Sequence, residues 1–396
     1  EPMDVDDDDR DSKFIALEIN GELFVKQNSK NRRNTNNVSK HSYRDRNPQW
    51  ISDTELLFRS DRDGHNEVYR ATSKDTLVGL DRSLKISIKK LTNSKEDIYD
   101  ILVSPNHKKI AYRLGTGKLI LADVKGGGIF NNKVYSSSWA EAKDVSWSPD
   151  SRYIAYSQED LNFDSEIFIQ SVNNPNDKFN ISMHPRSDIM PVWSPDGKKL
   201  AFASNRSGNR GGIDYDVWMV WLKKEDWERS KMDRENGDYY VENEVTKEKK
   251  KKEVKVFIDE ERIFDRLDRI TRLPDDEYGG IFSTDSKYVY YSATDPSSNE
   301  RSFFKVKLDG TDPEVIKGSS KVERVTEIDD KFYFISAGKL KKLDSDGDKI
   351  TSLPHTAKCI EDFVTMNQQI FEEGTRVLTM GFYDPNFHGY NWKSLI

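Results

Sequence analysis

The tetrapeptide Trp-Ser-Pro-Asp stands at Trp147–Asp150 and again at Trp193–Asp196, 46 residues further along the chain. Each copy is followed at once by an apolar stretch with the pattern of a β-strand. A sequence that repeats itself every ~40–50 residues is typical of a β-propeller or of another array of small β-sheets. This repeat therefore indicates the fold more strongly than any other feature of the chain.

Weaker copies of the tetrapeptide extend the series at similar intervals. They are Val5–Asp8, Trp50–Asp53, Val103–Asn106, Phe282–Asp285 and Thr326–Asp329. The interval from Trp193 to Phe282 is 89 residues, which leaves room for an insertion of one repeat length or for an eighth unit. Residues 223–257 favour the insertion, because they are crowded with charge and lack apolar alternation, as a solvated helix or a flexible loop does. The series then contains seven units.

The clearest repeat, Asp188–Gly208, combines turn signals with an apolar run. Pro195–Gly197 has the composition of a tight turn, because proline presets φ, aspartate bonds the nearby backbone, and glycine permits positive φ. Leu200–Ser204 alternates like a strand packed on both faces, and Asp216–Trp221 forms the next strand. One such meander cannot bury both of its faces, whereas radial stacking of several can. Residues 1–355 are therefore predicted to form an all-β, seven-bladed β-propeller of four-stranded antiparallel blades.

No residue of the sequence stands out as catalytic, cofactor-binding or metal-binding. The repeated tryptophan is best explained by packing between blades, and the repeated aspartate by turn capping. The motifs G-x-S-x-G, H-E-x-x-H and the P-loop are missing, and Asp344–Asp348 fits a hairpin turn better than a calcium loop. The histidines lack the spacing of metal ligands; they are His41, His65, His107, His184, His355 and His388. The sequence therefore predicts no site residues and no cofactor.

Composition limits the class of partner and of compartment. The net charge of −7 argues against general nucleic-acid binding. Cys359 is the single cysteine, which excludes an intrachain disulfide and a C-x-x-C pair. No stretch approaches the ~18 apolar residues of a membrane span. The N-terminus opens on an acidic run, Asp6–Asp9, instead of a signal pattern, so a cytoplasmic protein and a mature exported protein both fit.

After residue 355 the apolar pattern changes from strand to helix. Residues 360–382 carry apolar side chains at helical spacing, and Asp384–Asn386 stops the helix. Residues 356–396 are therefore predicted to begin a helical domain that the chain does not complete.

The repeats resemble the short propeller repeats of TolB-type proteins and of tricorn-type peptidases. The segment Gln369–Trp392 is more specific: it resembles the helix and the Tyr-Asp-x-x-x-His-Gly-x-x-Trp motif that follow the second propeller of tricorn-like serine peptidases, of the C-terminal-processing-peptidase type. The lysine-rich insertion and the following Phe257–Asp259 are similar to a segment of bacterial members. Gly374 departs from the family, which carries tryptophan ahead of the motif.

The resemblance implies that this chain is the non-catalytic propeller of a serine protease, a hydrolase whose PDZ-like and catalytic domains lie beyond Ile396. It implies that His388 holds a structural position and that the propeller guides or filters peptide substrates toward proteolysis. The implied partners are peptides or unfolded polypeptides, the rest of the peptidase, and further copies in a homo-oligomer. The resemblance also favours a periplasmic or exported location in a prokaryote over a cytoplasmic one.

The terminal repeats each supply strands of their own, which is compatible with the open ring closure of the family's second propeller. These strands are Phe14–Ile19 with Glu22–Lys26, and Lys331–Ile335 with Lys339–Leu343. Two other functions fit the repeats: a free-standing TolB-like propeller that binds a protein partner, and the propeller of a prolyl-oligopeptidase-like hydrolase. The chain itself is predicted to have no peptidase activity.

Overall fold

A computed structural model describes residues 13–75, 78–207, 214–235, 254–328, 331–344, 349–359 and 362–395. The strands among these residues form seven antiparallel sheets, in each of which consecutive strands are neighbours. Six sheets have four strands and the first has three. The chain is therefore a seven-bladed β-propeller, as its repeats predict, although the described part of blade 1 has one strand fewer than expected. The repeat copy Val5–Asp8 lies outside the described residues.

The strands are numbered in chain order. Blades 1 and 2 consist of β1 (Phe14–Ile19), β2 (Glu22–Gln27), β3 (Asn36–Asn37), β4 (Asp45–Ser52), β5 (Glu55–Asp63), β6 (His65–Ser73) and β7 (Ile86–Lys90). Blades 3 and 4 consist of β8 (Ile98–Val103), β9 (Lys109–Leu114), β10 (Lys118–Lys125), β11 (Gly128–Ser137), β12 (Lys143–Trp147), β13 (Tyr153–Glu159), β14 (Ser165–Ser171) and β15 (Lys178–Asn180). Blades 5 and 6 consist of β16 (Asp188–Trp193), β17 (Lys199–Ser204), β18 (Asp216–Trp221), β19 (Leu267–Arg269), β20 (Tyr278–Phe282), β21 (Tyr288–Asp295), β22 (Glu300–Lys307) and β23 (Glu314–Val315). Blade 7 consists of β24 (Val322–Ile328), β25 (Lys331–Ser336), β26 (Lys339–Leu343) and β27 (Ile350–Ser352).

The described helices lie in the insertion and near the C-terminus. They are α1 (Lys224–Glu235), α2 (Phe363–Gly381) and α3 (Trp392–Leu395), with 3-10 turns at Ile263–Arg266 and Phe387–Gly389. The helix predicted over 360–382 is thus confirmed, and it ends before Asp384 as expected. None of the helices that the structure describes is both long and apolar enough to cross a membrane.

The chain divides into two compact units. The larger unit contains Tyr99–His355 with Asn28–Arg33, and therefore blades 3–7 apart from the first residue of β8. The smaller unit contains Phe14–Gln27, Asn34–Ile98 and Thr356–Ile396, and therefore blades 1 and 2 with α2. The domain boundary at residue 355 stays a prediction.

In the larger unit, the repeated tryptophans connect consecutive blades. The first strands of consecutive blades contact each other, β12 with β16 and β16 with β20, as strands next to a propeller axis do. Trp193 Nε1 donates to the Ser146 carbonyl at 3.3 Å, and Trp147 Nε1 donates to the Leu102 carbonyl at 3.2 Å. Both rings are buried. The packing role predicted for the repeated tryptophan is therefore confirmed.

The repeated aspartates cap the turn between the first and second strands. Asp150 Oδ1 accepts from Ser148 Oγ at 2.7 Å and from the Arg152 backbone N–H at 3.1 Å. Asp196 and Asp285 accept in the same way from their own repeat's serine, at 2.5 and 2.6 Å. Each carboxylate thus satisfies groups that the turn leaves unpaired, as predicted for a turn-capping residue.

The insertion separates the third and fourth strands of blade 5, and its described residues, 224–235 and 254–257, contain no strand. This confirms seven units instead of eight. The prediction that all of 223–257 is solvated is wrong at its end, because Val256 is buried in the blade 5 core beside Trp193 and Leu222. The Val256 backbone N–H also donates to Asp150 Oδ2 at 2.8 Å. The apolar residues at this end, Val254, Val256 and Ile258, alternate over too few positions to stand out from the charged run before them.

The strand pairs predicted for the terminal repeats are confirmed as β1 with β2 and β25 with β26. Strand β26 pairs antiparallel with β27. The hairpin turn predicted at Asp344–Asp348 lies outside the described residues from position 345 onward. The mode of ring closure stays a prediction.

Candidate functional site

The first strands of blades 4, 5 and 6 each contain a β-bulge at the same repeat position. The pairing register shifts by one residue between Lys143 and Ser146, and equivalently in β16 and β20. The residues at these bulges are Asp144, Met190 and Gly279, whose φ angles are 51°, 57° and 102°. A bulge re-aims a side chain and is common beside functional sites. The bulge series therefore marks one end of the inner strands in the larger unit.

Large apolar side chains are exposed at this same end. Phe163, Met183 and Met190 are 74%, 59% and 41% exposed, and all three have left-handed backbone with φ of 64°, 41° and 57°. Trp139 and Leu161 are also exposed, and the Trp139 ring meets Phe163 edge-to-face at 5.9 Å. We call these five residues the apolar rim. Left-handed backbone is a genuine outlier for bulky residues, so the rim combines exposure with strain.

The rim residues belong to neighbouring loops, because the strands of a meander alternate in direction. Leu161 and Phe163 lie in the turn between β13 and β14, which is closed by a bond from the Asp160 N–H to the Asp164 carbonyl at 2.8 Å. Met183 lies in the loop before β16. Ser187 in that loop donates from its hydroxyl to Asp164 Oδ1 at 3.5 Å and accepts from the Ser165 N–H at 3.2 Å. These bonds hold the two loops together.

Polar and aromatic groups flank the rim. Asp144 Oδ2 accepts from the Met190 backbone N–H at 3.2 Å, which connects blade 4 to blade 5. Burial raises the pKa of the Tyr215 phenol. The Tyr215 ring lies 5.4 Å from Tyr278. Apolar side chains beside aromatic rings and hydrogen-bonding groups form a surface that offers both apolar and polar contacts to a ligand.

A buried ion pair supports the rim in blade 5. Arg206 Nη2 donates to Asp188 Oδ2 at 2.8 Å, and Asp188 begins the strand that carries Met190. The guanidinium also lies 5.4 and 5.0 Å from the rings of Phe202 and Trp218. Burial raises the pKa of Asp188 to about 6, and the Arg206 charge opposes this rise. Asp188 is therefore ionised and paired at neutral pH.

The smaller unit contains the same cluster in blade 2. Arg62 Nη2 donates to both oxygens of Asp45, at 2.8 and 2.9 Å, and its guanidinium lies over Phe58 and Tyr69. Asp45 and Asp188 both stand five residues before the repeated tryptophan. The acid and its arginine are thus a feature of the repeat.

Blade 6 has an acid at this position without the arginine. Glu277 stands five residues before Phe282, while Asp295 occupies the position that corresponds to Arg206. Glu277 is fully buried; its Oε1 accepts from the Leu273 N–H at 2.7 Å, and its Oε2 has no partner among the described residues. Burial, reinforced by the facing Asp216, raises the pKa of Glu277 to about 8. This carboxyl is therefore protonated at neutral pH.

The sequence predicted no site residue, and neither the rim nor Glu277 was recognised in it. The fixed interval between the acid and the tryptophan was a usable signal for Glu277. The sequence contains no comparable signal for the apolar rim, because exposed apolar residues are common in loops. Among the residues that the structure describes, no group of three or more His, Cys, Asp or Glu side chains is placed to hold a metal ion.

The Tyr383–Trp392 motif folds into a local turn after α2. The Tyr383 hydroxyl and His388 Nε2 lie 2.6 Å apart, and Asp384 Oδ2 accepts from the His388 N–H at 2.7 Å. The Phe387 ring stacks on Trp392 at 4.8 Å. His388 therefore contacts residues of its own motif, as expected for a structural position.

An open groove of about 700 Å³ lies beside α1 in the larger unit. Its lining is mostly charged, and Arg262 pairs with Asp265 at 2.6 Å. Trp227 and Ile258 supply its apolar surface. This balance of opposite charges defines no ligand.

No protein-family model matches the chain, and no curated protein matches it in sequence. Among solved structures, an oligogalacturonate lyase from Vibrio parahaemolyticus matches 88% of this chain and 87% of its own at 11% identity, with a TM-score of 0.55. A puromycin-hydrolyzing peptidase from Mycobacterium tuberculosis matches 80% of this chain and 46% of its own at 11% identity, with a TM-score of 0.52. A putative TolB from Agrobacterium tumefaciens matches 67% of this chain and 84% of its own at 16% identity, with a TM-score of 0.46.

At these identities, the likeness to the lyase and to the peptidase shows a shared propeller fold. The chain spans about half the length of the peptidase. The tricorn-like assignment stays a prediction.

Proposed function

We propose that this chain is the non-catalytic, substrate-binding propeller of a tricorn-like serine peptidase, and that it holds unfolded polypeptide at the apolar rim. The observation that carries the proposal is the display of Phe163, Met183 and Met190 in left-handed backbone while their side chains face solvent. Gly279 occupies the bulge in blade 6 that Met190 occupies in blade 5, so the blade can form this bulge without a side chain at that position. A strained, exposed methionine gives the blade no packing advantage, which favours a role in contact with a ligand.

The composition of the apolar rim favours an unfolded polypeptide as the ligand. Exposed aromatic and thioether side chains bind apolar side chains of many shapes, because methionine is flexible and polarisable. Tyr215 and Tyr278 extend the surface with hydroxyl groups. Binding of this kind depends on exposed apolar segments more than on sequence, which suits a propeller that sorts substrates for proteolysis.

The peptidase part of the proposal rests on the Tyr383–Trp392 resemblance. Its support is the folded turn around His388, together with the likeness of fold to part of a longer peptidase. A serine-peptidase domain encoded after Ile396 is the expected result of extending the coding sequence. A frame that continues without one would contradict this part of the proposal and leave the rim to a TolB-like interaction module. A periplasmic or exported location is proposed on the same resemblance.

Binding is tested with a fluorescently labelled globular protein, in its native form and after reduction and carboxymethylation. We expect the unfolded form to raise fluorescence anisotropy on titration and the native form not to do so. A Trp139→Ala, Phe163→Ala double variant should weaken binding roughly tenfold or more, as loss of aromatic anchors does. Leu84→Ala is the control, because Leu84 is 87% exposed but belongs to blade 2.

Equal binding by the double variant and the wild type would overturn the rim as the site. Selective binding of a native protein instead would favour the TolB-like alternative. Hydrolysis of the labelled protein by this chain would contradict its non-catalytic role.

A further inference from the structure

Helix α2 is attached to the smaller unit through its polar side. The Tyr43 hydroxyl donates to Glu372 Oε2 at 3.0 Å, and Arg44 Nη1 donates to Glu373 Oε1 at 2.7 Å. Arg376 forms an ion pair with a buried aspartate of the same unit. Amphipathic helices of globular proteins usually bury their apolar stripe instead. The orientation of α2 is therefore the reverse of the ordinary one.

The apolar side of α2 faces solvent along its whole length. Its residues are 53–78% exposed and occur in pairs every seven positions: Phe363, Val364, Ile370, Phe371, Val377 and Leu378. We call them the α2 face. Gly374 and Gly381 lie between the two rows, and a Cβ at either would meet no atom within 4 Å. The face is thus a shallow groove with glycine at its floor and large apolar side chains on both sides.

We propose that the α2 face binds the α2 face of a second copy of this chain, with the two helices antiparallel around a two-fold axis near Ile370. In this arrangement the first apolar pair of one copy meets the last pair of the other, and the middle pairs meet each other. A two-fold interface requires such a self-complementary patch. The glycines permit close approach of the helices, and antiparallel packing aligns their dipoles favourably.

The area of the face is sufficient for a specific dimer. The six side chains expose on the order of 100 Å² each, so two copies would bury roughly 1,200 Å², the lower end of stable protein interfaces. This area falls below that of obligate dimers. The dimer is therefore expected to dissociate in the micromolar range instead of being required for folding. The inference is independent of the apolar rim, which lies in the other unit.

Sedimentation equilibrium of the full chain over 1–100 µM tests the dimer. We expect a monomer–dimer equilibrium. Phe371→Glu should shift it toward the monomer and raise the dissociation constant of the dimer at least tenfold. Leu84→Glu, in the same unit, places an identical charge on another exposed leucine and should leave the equilibrium unchanged. A wild-type chain that is monomeric at 100 µM overturns the proposal, and so does a dimer that is indifferent to Phe371→Glu.

Cross-linking tests the direction of the helices. In a Cys359→Ser background, Ile370→Cys is expected to form a disulfide between copies, because the axis brings position 370 close to its counterpart. Phe363→Cys should not cross-link to itself, since the two copies of this position lie at opposite ends of the contact. Efficient cross-linking through Phe363→Cys would show a parallel contact and overturn the antiparallel arrangement. Circular dichroism of each variant confirms that the propeller is folded.

Discussion

Blades 5 and 6 each have a buried acid at the same repeat position, but the two acids have different partners and different charge states. In blade 5, Arg206 donates to Asp188 at 2.8 Å. In blade 6, Glu277 has no such arginine; it faces Asp216, whose own ion pair is with Arg269 at 2.8 Å. The buried carboxyl that pairs with an arginine is therefore ionised at neutral pH, whereas the one that faces a second acid is protonated.

The two blades also differ at the bulge two residues further along. Blade 5 holds Met190 in left-handed backbone at the apolar rim, whereas blade 6 holds Gly279. The blade with the arginine–aspartate ion pair thus carries the strained, exposed side chain. The comparison shows that one repeat can keep its fold while individual blades differ in charge state and in surface.

The largest expected effect is the loss of the blade 5 arginine. Arg206→Met keeps much of the side-chain volume but removes the hydrogen-bonding partner of Asp188, whose pKa then rises above 7 so that the buried acid is protonated. We expect a loss of ~1–3 kcal/mol in the free energy of unfolding, from the lost ion pair and from donor and acceptor groups left without partners. Urea denaturation at pH 7 measures it. Arg301→Met in blade 6 is the control, because Arg301 contacts Tyr278 and Ser292 instead of a buried acid. A change below ~1 kcal/mol for Arg206→Met would show that the ion pair is dispensable.

Adding Asp188→Asn to Arg206→Met should recover part of that loss, because the carboxyl that has lost its partner and must be protonated is then removed as well. Failure to recover would attribute the effect to lost packing of the guanidinium on Phe202 and Trp218.

The second effect is the pH dependence of stability from Glu277. Its folded pKa of about 8 exceeds the ordinary glutamate value of 4.5, so its stabilisation is fully present below pH 4.5 and is lost as pH rises through 8. Up to ~1 kcal/mol per pH unit should therefore disappear between pH 6.5 and 8. Glu277→Gln should flatten this part of the profile, since glutamine resembles the protonated acid and does not titrate.

Asp188→Asn is the matched variant in blade 5. The folded pKa of Asp188 is about 6, so its stabilisation is lost between about pH 4 and 6, and the asparagine should flatten that lower range only. Urea denaturation at half-unit pH intervals separates the two. Parallel slopes for wild type and Glu277→Gln above pH 6.5 would contradict a protonated Glu277.

The smallest effect is at the bulge. Met190→Gly gives blade 5 the residue type of blade 6 and should raise the free energy of unfolding by ~1 kcal/mol, because left-handed backbone strains every side chain except glycine. Met190→Ala removes the same side chain but keeps the strain, and should not stabilise. Both variants should weaken binding of the unfolded polypeptide a few-fold. Destabilisation by Met190→Gly would show that Met190 is held for packing.

The blades could be predicted because the repeat carries local information. Pro195–Gly197 indicated a turn through its own backbone preferences, and Leu200–Ser204 indicated a strand through its period. The repeated tryptophan was correctly interpreted as a packing residue for the same reason. The burial of Val256 was harder to predict, because the alternation of Val254, Val256 and Ile258 is short and follows a long charged run.

The apolar rim and the charge state of Glu277 could not be predicted from the sequence, because both depend on contacts between blades. The sequence contains the interval from Glu277 to Phe282, but the missing arginine matters only because the carboxyl is fully buried. The amphipathic period of α2 is likewise evident in the sequence. That the helix contacts the smaller unit through its polar side could not be predicted, because this depends on the positions of Tyr43 and Arg44 in the fold.

The sequence by itself determined that this chain repeats a small antiparallel sheet and ends in an amphipathic helix, because turns, strand period and helix period are set by neighbouring residues. Only the tertiary structure decided which acids are charged, which bulges expose a side chain, and which side of α2 meets solvent. These properties depend on burial and on partners from distant parts of the chain, which no local pattern specifies.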